Sequence, residues 1–367
     1  MTPLQPFLVN HIRQQGPMSI ETYMNTCLYD SSHGFYMTQL PLGNHFITAP
    51  EISQLFGEMV AIWALLAWEH LGKPSTLNIV ELGPGRGTLA KDILRIASPI
   101  FEKSASALTY VFHDISPTLQ AQQQETLSSL IQNNAFTLHW ISEGQEWPQG
   151  PTLFLANEFF DALPIRQFEK VNNIWKERCI SLDGERLVFQ LEDIPHPPQG
   201  VPENGSFYEY APALPQWGKH IAQHLGHYGG AALRIDYGYG RNTLYQDTLQ
   251  AIQNNHSTPV LEHPGLCDLT AHVDFGTLTE VFSQALPCAN IPYEVFPLMS
   301  QRTFLMKHGF MERLQQLLAG SSSREEKEQV AQGAHRLTRS DGMGDLFQVL
   351  TVQSVDFLQN RALGGDF

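Results

Sequence analysis

Three groups of residues have the types and spacing that could do chemistry. The first is Glu81-Leu82-Gly83-Pro84-Gly85-Arg86-Gly87, followed by Thr88. Glycines at this density let a backbone turn tightly and approach a ligand closely. If a helix begins at Thr88, its free amides could receive a carboxylate or a phosphate. A dinucleotide loop would read GxGxxG, but Thr88 stands where its third glycine should be. The GxGxG spacing after an acidic strand end points instead to S-adenosylmethionine (AdoMet).

The second group is Asp114 in Val111-Phe112-His113-Asp114-Ile115-Ser116-Pro117. At the end of the next strand, an acidic side chain can accept hydrogen bonds from both hydroxyls of a ribose. Asp114 could equally cap a helix beginning near Ser116-Pro117, and the local sequence leaves both roles open. The third group, Asn157-Glu158-Phe159-Phe160-Asp161-Ala162-Leu163-Pro164, sets two carboxylates and an amide after a later strand. The expected cofactor-binding set is Glu81, Gly83, Gly85, Gly87, Thr88, Asp114, Ile115 and Asn157. No metal is expected.

Positioning these groups requires strands that end together. Strand-like segments are predicted over Leu77–Glu81, Thr109–His113, Phe136–Trp140 and Thr152–Ala156, with helices starting near Thr88 and Thr118. Strands alternating with helices imply a parallel sheet covered on both faces, with its crevice at the carboxyl ends of the strands. The stretch Ala61–Gly72 has apolar residues at helical spacing and ends at Gly72 and Pro74, so residues 1–73 read as mainly helical. Between ERCISL and ERLVFQ, Asp183-Gly184 is a two-residue hairpin signal, and prolines 195, 197, 198 and 202 follow in a loop. Ala231–Asp236 resumes the sheet. Asp274 would cap a helix over FGTLTEVFSQAL, and DLFQVLTVQSV supplies a last strand.

The fold expected is α/β: a doubly wound, Rossmann-like class I methyltransferase sheet with an N-terminal helical region, a β-hairpin insertion and a helical insertion. Its segments would be 1–75 (helical), 76–164 (core), 165–228 (hairpin and loop), 229–240 (core strand), 241–290 (helical insertion) and 291–367 (core).

Composition fits this picture. The 367 residues are 42% hydrophobic and 16% charged, enough for a substantial core. Cys27, Cys179, Cys267 and Cys288 are scattered, without a CxxC pair, as in a reducing compartment. The net charge of −15 argues against a broad nucleic-acid-binding surface; it serves solubility alone in many proteins, and it would also tolerate or attract a cationic substrate. No apolar run reaches about 18 residues, so no membrane-spanning helix is expected. Without a signal-peptide or Arg/Ser-rich transit pattern at the N-terminus, the expected location is the bacterial cytoplasm. For a mature organellar form it would be the mitochondrial matrix.

The chain also resembles the MidA family of AdoMet-dependent methyltransferases. The resemblance runs over nearly the whole sequence. It is carried by Tyr23-Met24, Leu28-Tyr29, Gly34-Phe35-Tyr36, Thr48–Gln54 with Phe56-Gly57-Glu58, Glu81–Thr88 and Asn157–Pro164. It continues through Ile235–Gly238, Asp268–Phe275 and Met343–Phe347. The departures are Asn44-His45 for the usual Gly-Asp, Asp114-Ile115-Ser116-Pro117 for Glu-(Ser/Thr)-Ser-Pro, and Glu209-Tyr210-Ala211-Pro212 for Glu-x-Ser-Pro. The resemblance implies methylation of arginine in a protein partner, with a respiratory complex I subunit as one such partner. Carboxylates would hold the guanidinium in a fork and direct a nitrogen at the methyl group. Glu158 is the first candidate, followed by Asp161, Glu51 and Asp236, with His272 for proton removal. A small-molecule methyltransferase, or an AdoMet-binding assembly chaperone without turnover, would share the loop; a dehydrogenase fits Thr88 least.

Overall fold

In the computed structural model, Leu77 through Leu82 are buried without a break, the pattern of a strand covered on both faces of a parallel sheet. The structure describes residues 2–38, 48–131, 136–142, 144–198, 200–201, 205–240, 245–286 and 292–354. Asn44-His45, Cys288 and Pro202 lie outside them. The chain divides into two compact units: residues 1–47, 160–216 and 239–274 form one, and residues 48–159, 217–238 and 275–367 form the other. The expected N-terminal segment 1–75 is therefore shared between them.

The second unit holds the large sheet. Its continuous path is built, in chain order, from β1 (Thr76–Leu82), β2 (Ala107–His113), β3 (Thr137–Ile141), β4 (Thr152–Asn157), β5 (Gly230–Tyr239), β6 (Tyr293–Val295) and β7 (Phe347–Ser354). They lie side by side in the order β6-β7-β5-β4-β1-β2-β3. Strands β1 to β5 are mutually parallel, whereas β7 runs antiparallel to β5 and β6 to β7. The chain moves outward from β1 through β2 to β3, then returns to place β4 on the other side of β1. The switch point, where ligands bind in such sheets, therefore lies between the carboxyl ends of β1 and β4.

Helix Gln54–His70 packs on one face with helix Thr88–Lys103, around Phe56, Trp68, Ile93, Phe101, Leu153 and Leu233. Ser53 starts the longer of these helices and interrupts the short helix Ala49–Ile52; its hydroxyl accepts from Leu55 N. On the opposite face of β5, Arg234 is 1% exposed, and its three guanidinium nitrogens have no hydrogen-bond partner among the described residues. The Phe282 ring lies 4.0 Å from its carbon. Burial pulls Arg234 down to about 9, so it is still charged at neutral pH.

The first unit carries a five-stranded antiparallel sheet, ordered Met18–Ser19, Ile174–Asp183, Arg166–Val171 and Phe207–Tyr210, with Arg186–Asp193 paired to the second of these. The hairpin expected here is present, but its loop is Gly184-Glu185, one residue later than the Asp183-Gly184 signal. Asp183 pairs with Arg186 as the last ladder rung, and Gly184 has φ +65°. That places glycine first in the loop, where a type II′ turn requires it. Helices Gln5–Gln15 and Ile20–Tyr29 pack on this sheet through Leu8, Ile12, Tyr23 and Leu28.

The 241–290 stretch holds its expected helix, Phe275–Ala285, in the second unit. Before it, in the first unit, comes a three-stranded sheet of Gln250–Gln253, His256–Thr258 and Asp268–Thr270, rather than further helix. Asn254 and Asn255 turn between the first two with positive φ, which asparagine tolerates better than most residues.

Candidate functional site

At the carboxyl end of β1 the chain makes the glycine turn, with Gly83, Gly85 and Gly87 at φ +63°, +52° and +79°. Gly87 is the N-cap of helix Thr88–Lys103, and no side chain caps that helix start. Beneath the loop, Glu81 is 3% exposed and accepts from the Tyr110 hydroxyl at 2.6 Å. Burial pushes Glu81 up to about 8; the Tyr110 bond opposes this and the nearby Asp114 charge adds to it.

Asp114 follows β2 directly. Its Oδ1 accepts from Ser116 N at 2.9 Å, and its Oδ2 accepts from Gln123 Nε2 at 2.8 Å. Ser116 Oγ in turn accepts from Leu119 N in the first turn of helix Pro117–Ile131. The capping role therefore belongs mainly to Ser116, with Asp114 holding the turn before it. Burial raises Asp114 above the ordinary carboxylate range, and its hydrogen bonds counter that shift. Beside it, Ile115 turns an apolar side chain outward, 37% exposed.

After β4 comes Glu158, a non-glycine residue at φ +49°. Its amide donates to Ile235 O at 2.9 Å, extending the pairing with β5. Its Oε1 accepts from Ala49 N at 2.8 Å and from Asn157 Nδ2 at 3.2 Å. Asn157 Oδ1, also buried, has no hydrogen-bond partner among the described residues. Asp236, 1% exposed near the end of β5, accepts from Phe159 N at 3.2 Å and from Tyr237 N at 2.9 Å. Glu158 and Asp236 thus brace one tight turn from neighbouring strands. Glu51 lies two residues beyond Ala49, and its Oε1 is 3.8 Å from Arg86 Nη1. Burial raises Glu51 above its ordinary value, against the pull of Arg86.

Asp161 and His272 belong to the first unit. There Ala271 N donates to Asp161 O at 2.9 Å and His272 N to Thr248 Oγ1 at 2.8 Å. Burial pulls the His272 ring below its ordinary value. In the same unit Tyr29, Tyr36 and Glu209 from the N-terminal and central motifs make structural bonds. Tyr29 donates to Ala162 O at 3.0 Å, Tyr36 to Asp268 Oδ1 at 2.7 Å, and Gln167 Nε2 to Glu209 at 2.6 Å.

Two site residues escaped the sequence reading. Gln123 is completely buried and touches both the glycine loop and Asp114. Its signal was present: Leu119, Gln123 and Leu127 form the buried stripe of their helix, and an amide on that stripe calls for partners. Phe159 packs on Gly83 and meets the Trp217 ring edge-on at 5.2 Å. Nothing local distinguishes it from any core phenylalanine. Among the described residues no group of His, Cys, Asp and Glu could hold a metal, and no helix is long and apolar enough to cross a membrane.

A parallel sheet with this strand order, a glycine turn after β1 and an acid after β2 define a class I AdoMet-dependent methyltransferase. The chain belongs to the family described as "putative S-adenosyl-L-methionine-dependent methyltransferase", whose model matches residues 59–292. It is similar to Protein arginine methyltransferase NDUFAF7, mitochondrial, from Danio rerio, with 33% identity over 96% of this chain and 87% of that protein. The human protein of that name is 31% identical, over 95% and 82%. A crystal structure from Burkholderia thailandensis, described as a "likely methyl transferase" bound to S-adenosyl-homocysteine, is similar at TM-score 0.81. It shares 25% identity over 95% of this chain and 91% of that one. The MidA resemblance and the AdoMet cofactor follow from these matches.

Proposed function

We propose that this methyltransferase acts on an arginine side chain of a protein partner, with Glu158 as the residue that receives the guanidinium. The observation that carries the proposal is Glu158 itself. An acidic residue is held in left-handed backbone at the switch point, and its neighbour Phe159 packs on Gly83 of the glycine loop. Such a conformation costs about 1–3 kcal/mol and persists where surrounding structure enforces it, most often at functional sites. The printed names of the NDUFAF7 relatives support arginine as the target.

The residues present fit the cofactor. The uncapped helix start at Thr88, with Gly83, Gly85 and Gly87, suits the methionine carboxylate. Asp114 suits the ribose hydroxyls and Ile115 the adenine face. The buried, unpartnered Oδ1 of Asn157 is an acceptor suited to the methionine ammonium. Glu81 supports the loop from below.

When bound, AdoMet supplies an electrophilic methyl group. Glu158 would accept guanidinium N–H bonds, localise the cation's charge and aim one nitrogen. Its Oε1 is already fixed by Ala49 N, so little freedom is lost on binding. Asp236 holds the turn by taking Phe159 N. Glu51 is a second acceptor for the cation. Asp161 and His272, the remaining candidates from the sequence, lie in the other unit, where burial lowers the pKa of the His272 ring. A respiratory complex I subunit is the partner that the family resemblance suggests. The relatives' names carry the word mitochondrial, which supports a mitochondrial location for an organellar form; for a bacterial form our reading is the cytoplasm.

The test is to incubate the protein with methyl-labelled AdoMet and native partner fractions, and to map the label by mass spectrometry. Label is expected in arginine of a protein, and Glu158→Gln should lower its rate by about 100-fold or more with AdoMet affinity kept. Label confined to small molecules would make the protein a small-molecule methyltransferase. AdoMet binding without any label would favour an assembly chaperone.

A further inference from the structure

Helix Pro117–Ile131 buries a stripe of Leu119, Gln123 and Leu127. An amide between two leucines is costly unless its hydrogen bonds are met. Gln123 meets them. Its Nε2 donates to Gly85 O and to Asp114 Oδ2, each at 2.8 Å, and its Oε1 accepts from Trp140 Nε1–H at 2.8 Å.

An indole N–H can only donate, so Trp140 fixes which end of the amide is which. A flipped amide would set its oxygen against the Gly85 carbonyl and the Asp114 carboxylate, both acceptors. One buried side chain therefore ties the glycine loop to the acid after β2. With Oδ1 on Ser116 N, Oδ2 on Gln123 and a further bond from the Ile115 backbone, the Asp114 carboxylate is held in one rotamer.

We propose that Gln123 is a positioning residue for the cofactor ribose, locking Asp114 in the rotamer that receives the two hydroxyls and joining it rigidly to the loop. This rests on the reading that Asp114 holds the ribose. Gln123 touches no reacting atom and acts through Asp114. Without it the carboxylate would have to be ordered on binding, and that ordering would be charged to the ribose contact alone.

The experiment is calorimetric titration of S-adenosylhomocysteine and its 2′-deoxy analogue into the wild type, Gln123→Leu and Trp140→Phe. The wild type is expected to prefer the parent ligand by about tenfold or more. In Gln123→Leu that preference should shrink several-fold, and in Trp140→Phe it should shrink by less, because the amide is retained but free to flip. If both ligands weaken together with their ratio preserved, Gln123 merely packs the loop and the proposal is overturned. If the wild type does not distinguish the two ligands, the ribose reading of Asp114 fails first and takes this proposal with it. Should Gln123→Leu not fold, Trp140→Phe decides alone. It keeps a ring to stack on Phe112, which lies 5.3 Å away in the wild type.

Discussion

The ring of Phe159 fills the space that a side chain at Gly83 would need: a Cβ on Gly83 would come within 2.7 Å of Phe159 Cδ2. The glycine turn after β1 is thus packed against the acidic turn after β4. From Phe159 the contacts run on through Trp217 to His113, 5.4 Å from it between centroids. His113 directly precedes Asp114. The first glycine of the loop is therefore required by the protein's own packing as well as by its backbone angle.

Gly83→Ala should destabilise the fold by about 2–4 kcal/mol, combining left-handed strain with the clash. In a Phe159→Ala background the strain stays and the clash goes, so the same substitution should cost at least about 1 kcal/mol less. Urea unfolding of the four proteins in this cycle measures the difference. Equal costs in both backgrounds would show that the ring is not the reason for glycine.

Glu81 gives a pH dependence of defined sign. In the unfolded chain it ionises near 4.5, whereas in the folded protein it keeps its proton until about 8. Its stabilising contribution is complete below the lower value and is lost as pH rises through the upper one. Glu81→Gln cannot titrate. The wild type should therefore lose stability relative to this variant, by up to a few kcal/mol, between about pH 5 and pH 8.5. A stability difference that stays flat across this range would show that Glu81 is ionised in the folded state.

Arg234 is a charge in the core with no hydrogen-bond partner among the described residues and a single aromatic face against it. Replacing a buried charge by an apolar side chain of similar length often stabilises a protein. Arg234→Met should raise the thermal midpoint, corresponding to about 1–4 kcal/mol. Because Arg234 lies on the face of β5 away from Leu233 and Ile235, AdoMet affinity should be unchanged. A lowered midpoint would mean that the guanidinium has a stabilising role that the described contacts do not contain.

The strands and the glycine turn were legible because their signals are local. Leu77–Leu82 is a mostly apolar strand with an acid, Glu81, next to its end, and glycines best tolerate the turn that follows. The hairpin was legible to within one residue, and the slip arose because Asp183 can serve either as the last rung or as part of the loop. Tertiary pairing made it the last rung. The three short strands before Phe275 were not legible, since runs of three or four residues leave too little period to distinguish.

The sequence alone determined where the residues proposed for a methyl-donor site fall: Gly83, Gly85, Gly87, Asp114, Asn157 and Glu158 sit at or just after strand ends that its periodicity predicts. Only the tertiary structure decided which of them are held together, and by what. It gave Glu158 a left-handed backbone anchored by Ala49 N, made Asp236 the brace of that turn, and placed Asp161 and His272 in the other unit. It also picked Gln123 from a run of glutamines as the link between loop and acid. The physical reason is range. Backbone preference is set by neighbours along the chain, whereas a hydrogen bond such as Glu158 to Ala49, 109 residues apart, exists only after the strands have paired.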